Sequence, residues 1–175
     1  MQNKEKNNDD IFSISILRIM DLGFIINENF FKEGKEARIE FSMTTSFTVE
    51  TNTAYFNLRT HFHYPDITPE QILLAINVNN IFFIPNVKRF VTTDKHVKLP
   101  PNILVTIVGL CVTHSRALLA KHTAGTVYES TILPIVDAAS MAQALFPNTF
   151  IVKPIKVSDI TKRKSQPKKS LKTNG

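Results

Sequence analysis

Residues 38–64 hold two runs of strict alternation on either side of a turn signal, and they constrain the chain more than any other stretch. In RIEFSMTTSFTVE (38–50), Ile39, Phe41, Met43, Phe47 and Val49 share one side, and Glu40, Ser42, Thr44, Ser46 and Thr48 share the other. Thr51-Asn52-Thr53 supplies the turn. The run 54–64 repeats the pattern, with Phe56, Leu58, Phe62 and Tyr64 on the apolar side and Asn57, Arg59, His61 and His63 opposite. A period of two over this length specifies an antiparallel pair with one wet face. The apolar face needs a cover.

Two more strands extend the pair. In 12–20, FSISILRIM, alternation puts Ile14 and Ile16 on one side and Leu17 and Ile19 on the other. Asp21-Leu22-Gly23 reads as a bulge, and 24–26 resumes the strand. A polar loop follows over 27–36, in which Phe30 and Phe31 stand out. Residues 72–84, ILLAINVNNIFFI, form the most apolar strand, and Asn77, Asn79 and Asn80 suggest a bulge at a sheet bend. A short turn is read at Thr68-Pro69-Glu70.

The cover is residues 99–137. A helix starts after Pro100-Pro101, with Asn102 as the expected N-cap and Gly125 as the C-cap site. Leu104, Ile107, Val108, Cys111, Ser115, Leu118, Leu119 and His122 form one stripe at helical spacing, suited to the sheet. A second, smaller stripe of Val105, Gly109, Val112, Arg116 and Ala120 would let another helix approach closely. A covering helix with an apolar back implies an oligomer, with these five residues at the interface; the alternative is cover by the chain's own loops. Residues 126–136 read as extended. Asp137 or Ser140 caps a last short helix that ends at Phe146, before Pro147. The expected class is α+β: a four-stranded antiparallel sheet, one long helix on it and a short C-terminal helix.

Three regions follow: a charged, Asn-rich disordered leader (1–10), one folded domain (11–157) ending in the apolar patch 151–155, and a basic disordered tail (158–175). The net charge of +6 belongs to that tail: the last fifteen residues carry six Lys and Arg and no acid, so the rest of the chain is balanced. The tail contains no aromatic residue and the folded part is neutral. A solvated tail is expected, and nucleic acid is not an expected partner. The polar N-terminus has no apolar signal core, which reads as cytoplasmic. No membrane insertion is expected, because the apolar run 103–112 ends in Thr113, His114, Ser115 and Arg116, short of the roughly 20 residues a span needs.

The chemistry-bearing motifs are few. There is no Gly-rich phosphate loop, H-E-x-x-H pair or nucleophile elbow. His61 and His63 share a strand face with Arg59, which reads as a solvated face rather than a metal site, and His114-Ser115-Arg116 has no triad spacing. The single cysteine, Cys111, reads as a buried filler. The expectation is no enzyme, no cofactor and no metal. Aromatics instead collect at loops and element ends: Phe30, Phe31, Phe82, Phe83, Phe90, Tyr128 and Phe146. Core packing is one reading of them, equally weighted for Phe82 and Phe83, which lie on a strand. Phe146 and Met141, on a short helix near the end of the domain, suggest instead an apolar groove for extended polypeptide, since Phe, Met and Leu surfaces repack around many partners.

Three stretches resemble the SecB family of protein-export chaperones. ILRIMDLGF (16–24) is similar to that family's first strand and its continuation, and LLAINVNNIFFI (73–84) to its fourth strand. Residues 99–137, with Pro101-Asn102-Ile103-Leu104 and Leu133-Pro134-Ile135 in register, resemble its long helix and the proline strand after it. The resemblance spans residues 12–147. It implies a homotetramer, a dimer of dimers, acting as an ATP-independent holdase for unfolded preproteins in export or translocation. It places a client groove at Ile39, Phe41, Met43, Tyr128, Ile132, Met141, Leu145 and Phe146. Of the acids through which that family meets its SecA motor, Asp21 is kept, whereas Ile25 and Ala75 stand where acids would be and the tail is basic. Holding clients is therefore better supported than delivery to SecA. A SecB-like protein dedicated to one partner, such as an antitoxin, is the alternative.

Overall fold

The computed structural model describes residues 13–66, 71–94 and 96–149. The leader, the turn at 68–70, the patch at 151–155 and the basic tail lie outside them. The described chain is α+β. Strands β1 (Ser15–Ile26), β2 (Arg38–Thr48), β3 (Thr53–His63) and β4 (Ile72–Phe83) form one antiparallel sheet in the order β1-β4-β3-β2. Helix α1 (Pro101–Thr123) lies on one face, and α2 (Ala138–Leu145) packs against α1.

The alternating runs become β2 and β3 in the expected register, with Ile39 opposite Phe62 and Met43 opposite Leu58. Asn52 takes a left-handed φ of 54° at their turn, and its side-chain oxygen accepts the Val87 N–H at 3.1 Å. The inner residues Phe56, Leu58 and Phe62 of β3 and Leu74, Ile76, Val78 and Phe82 of β4 form the core with Ile107, Val108, Cys111 and Leu119 of α1.

Strand β1 departs from simple alternation. Its register against β4 slips twice, at Leu17 and at Leu22, each an extra residue on β1. Every slip turns the following side chains over. Ile16 and Ile19 therefore share the helix-facing side, opposite Phe82 and Asn80, where unbroken alternation would separate them. These two bulges lie on β1, and a third irregularity, in the β3–β4 pairing, falls at Leu73; none sits at the asparagines of β4. Leu17 and Leu22, and with them Ile16, Ile19 and Ile25, remain substantially exposed on this edge.

Pro100, not Asn102, is the N-cap of α1, and no side chain caps it; Asn102 lies inside the first turn. The helix ends at Thr123 with Ala124 as its C-cap, and Gly125 follows with a φ of +74°, a conformation glycine adopts without strain. At 23 residues α1 is long and apolar enough, by length and composition, to cross a membrane, contrary to the sequence expectation. The polar residues after Val112 do not shorten it, because Ser115 faces the core and Arg116 is the lone full charge in the run from Pro101 to Ala120. In this fold its sheet-facing stripe is core. Asp137 caps α2, accepting the Ser140 N–H at 2.6 Å, so the cap is Asp137 and Ser140 lies within the helix.

Candidate polypeptide-binding groove

A helix about 10 Å wide covers about two strands spaced about 4.8 Å apart. Helix α1 rests on β4 and β3, and β2 lies beyond it. The consequence is visible strand by strand. Inner side chains of β3 and β4 are buried, whereas Ile39, Phe41, Met43 and Phe47 of β2 pack against the core yet stay partly exposed. They form an apolar ribbon along an edge strand.

The facing wall is built by the chain after α1. Gly125 reverses it, and the Thr126 hydroxyl donates to the Thr123 carbonyl at 2.8 Å while accepting the Tyr128 N–H at 3.1 Å. This places Tyr128, 4% exposed, against the loop 27–37, where its hydroxyl donates to the Asn27 carbonyl at 2.9 Å. Phe31 meets the Tyr128 ring edge-on at 5.2 Å. Segment 131–137 is held to α1 by Arg116, whose Nε donates to the Leu133 carbonyl at 2.9 Å and whose terminal nitrogen donates to the Pro134 carbonyl at 2.7 Å. Leu133 is buried, while Ile132 is 72% and Ile135 92% exposed. At the other end Phe146 packs on Phe56 at 6.5 Å, and Phe47 packs on Phe56 at 6.0 Å.

Between the walls, at the Ile39 end, lies a cleft of about 240 Å³ whose apolar lining includes Phe31, Ile39, Phe62, Tyr64, Tyr128 and Ile132. Tyr64 fixes its floor: its hydroxyl accepts the Lys32 N–H at 2.8 Å and donates to the Lys32 carbonyl at 3.3 Å. Burial pushes the Tyr128 phenol up to about 12, with Tyr64 and Glu28 adding to the effect, so it stays a neutral donor. Lys35 stands at the rim, 2.7 Å from Asp66 and over the Tyr64 ring, and its hydrogen bond holds the Asp66 carboxyl below its usual range. An apolar trench with hydrogen-bonding tyrosines and a charged rim suits an extended, apolar-rich chain segment.

The structure brings Ile39, Tyr128 and Ile132 to one cleft, and Phe41 and Met43 continue from it along β2. Leu145 and Phe146 stand at the far end, partly buried. Met141, 9% exposed, belongs more to the core than to a groove wall. Phe31, Phe47, Phe62 and Tyr64 were not among the groove residues read from the sequence. The misplaced-looking Phe30-Phe31 pair in a polar loop was the available signal.

The small stripe of α1 falls apart into separate roles. A Cβ on Gly109 would lie 3.4 Å from that of Ala138, Val112 is buried, and Arg116 holds 131–137. Three of the five expected interface residues are thus met within the chain; Val105 is partly buried and Ala120 is exposed. Cover by the chain's own segments, the alternative in the sequence reading, accounts for those three. Asp21 also changes place. It points to α1 and pairs with Nε2 of His122, whose ring stacks on Phe24 at 4.6 Å. Ile25 and Ala75 are paired with each other on the opposite face, so Asp21 is not a member of that patch.

On the wet face, His63 Nε2 lies 3.1 Å from the Glu40 carboxylate. Burial, with Arg59 beside it, lowers the His61 pKa. Cys111 is buried, and desolvation pushes its thiol up to about 12, which leaves it inert at neutral pH.

No family model and no curated protein matches the chain. Among solved structures, a SecB-like chaperone from Mycobacterium tuberculosis, in complex with a ChAD peptide from an antitoxin, is similar at a TM-score of 0.48 and 12% identity, over 70% of this chain and 90% of that one.

Proposed function

We propose that this protein is a SecB-like, ATP-independent holdase that keeps unfolded or extended polypeptides in the groove between β2 and residues 126–146. The observation that carries the reading is the inner face of β2, which α1 leaves uncovered along Ile39, Phe41, Met43 and Phe47. The order of strands, helix and proline segment that resembles the SecB family adds to it. The reading includes a homotetramer, a cytoplasmic location, service to preproteins in export, and no catalysis.

The turn of Asp21 toward His122, with Ile25 and Ala75 on the other face, supports holding over transfer to SecA. It equally favours a chaperone dedicated to one partner protein. Affinity purification would yield a single dominant companion in that case and many in the general one.

The decisive experiment combines light scattering with protection of a denatured client from aggregation. The protein should protect at near-stoichiometric ratios without nucleotide, and Ile39→Asp and Ile132→Asp should abolish protection while retaining the native circular dichroism. Failure of the parent protein to protect, or full protection by both variants, sinks the proposal. A monomeric mass removes the tetramer.

A further inference from the structure

The described chain stops beside the far end of this groove. Phe146 and Phe47 both pack on Phe56, and the 3-10 turn Pro147–Thr149, closed by a 3.0 Å bond from the Thr149 N–H to the Phe146 carbonyl, follows directly. The sequence continues as Phe150-Ile151-Val152-Lys153-Pro154-Ile155-Lys156-Val157. We propose that residues 150–157 fold back along the inner face of β2 in the same molecule, as a resident ligand that outside polypeptides must displace. This rests on the groove reading above.

Length agrees. From Phe47 to Ile39 the ribbon runs eight steps of about 3.4 Å, roughly 27 Å, and an extended segment of 150–157 covers the same span. Chemistry agrees as well: Phe150, Ile151, Val152, Ile155 and Val157 match an apolar trench, and Pro154 bars a helix and favours extended backbone. Charge supplies the direction. The chain around the Ile39 end, residues 27–38 with Asp66 and Glu129, carries Glu28, Glu33, Glu36, Asp66 and Glu129 against Lys32, Lys35 and Arg38. A segment laid from Phe47 toward Ile39 delivers Lys156 and the basic residues from Lys162 onward to that acidic end. Tethering provides an effective concentration of order millimolar, so even an intrinsic affinity of ~0.1 mM weakens an outside ligand about tenfold.

The test is fluorescence anisotropy of a labelled, extended apolar decapeptide. It compares the full chain, the full-length Ile151→Asp/Ile155→Asp double variant, and a chain ended after Thr149. The double variant and the shortened chain should bind about tenfold more tightly than the parent, and a synthetic 150–157 peptide should compete on the shortened chain. Equal affinity in all three overturns the inference and leaves the groove reading intact. No binding in any of them, the shortened chain included, overturns both. Inhibition that fades on dilution gives the segment to a neighbouring copy and overturns the same-molecule arrangement.

Discussion

The Tyr128 hydroxyl donates to the Asn27 carbonyl at 2.9 Å and so ties together positions 101 apart in the chain. This single bond joins the late wall of the groove to the loop that carries Phe31. Tyr128→Phe keeps the ring and loses the bond. It should cost about 1 kcal/mol in urea unfolding and loosen an apolar peptide severalfold. An unchanged urea midpoint with unchanged peptide affinity counts against this role.

Arg116 holds the exposed part of the same wall through two carbonyls at once. Lysine carries the charge but not the fork, so Arg116→Lys should not substitute for it. The expected outcome is a loss of about 1–2 kcal/mol and faster thermolysin cleavage within 131–136 under native conditions. Cleavage at the parent rate would show that the two bonds do not hold the segment.

Gly109 separates two outcomes by one carbon atom or three. Its added Cβ would meet Ala138 at 3.4 Å, an ordinary contact, and alanine favours the helix by about 1 kcal/mol over glycine. Gly109→Ala should therefore be neutral or stabilising in thermal melts. Gly109→Val must push α2 outward, and a loss of about 1–3 kcal/mol is expected. Equal melts for the two variants would mean that α2 does not pack there.

His114 sets a pH dependence. Its Nδ1 lies 2.6 Å from the Asn80 side-chain oxygen, and burial lowers its pKa below the ordinary 6.5. Below pH 6.5 the unfolded chain therefore takes up more protons than the folded one, so stability is full above that value and is lost as pH falls through the folded pKa. His61, lowered by burial and Arg59, acts with the same sign. The urea midpoint should drop between about pH 7.5 and about pH 5.5, and His114→Asn should flatten part of that slope. A slope identical in the variant would assign the effect elsewhere.

Much of this fold is legible because local pattern and tertiary role agree. Strict alternation defines β2 and β3 to within two residues, and the Leu104–Leu119 stripe fixes which side of α1 meets the sheet. Two features were not legible, for different physical reasons. The face on which Asp21 falls depends on single-residue slips at Leu17 and Leu22, and one slip inverts everything after it. The partner of the Gly109 stripe is Ala138 with the Leu133-Pro134 carbonyls, and period analysis shows that a face is apolar, not what covers it. The resemblance names Ile39, Tyr128 and Ile132, and the structure gathers these three at one cleft. Tyr64 was missed because its role depends on a hydroxyl reaching Lys32, 32 positions back.

The wide separation of Asn27 and Tyr128 also has a meaning for biosynthesis. Strand β2, with Ile39, Phe41 and Met43, leaves the ribosome roughly 100 residues ahead of Phe146. At about 5–20 residues per second its apolar edge waits about 5–20 s for the second wall. For that interval the nascent chain displays the kind of surface its finished groove is proposed to shelter in others.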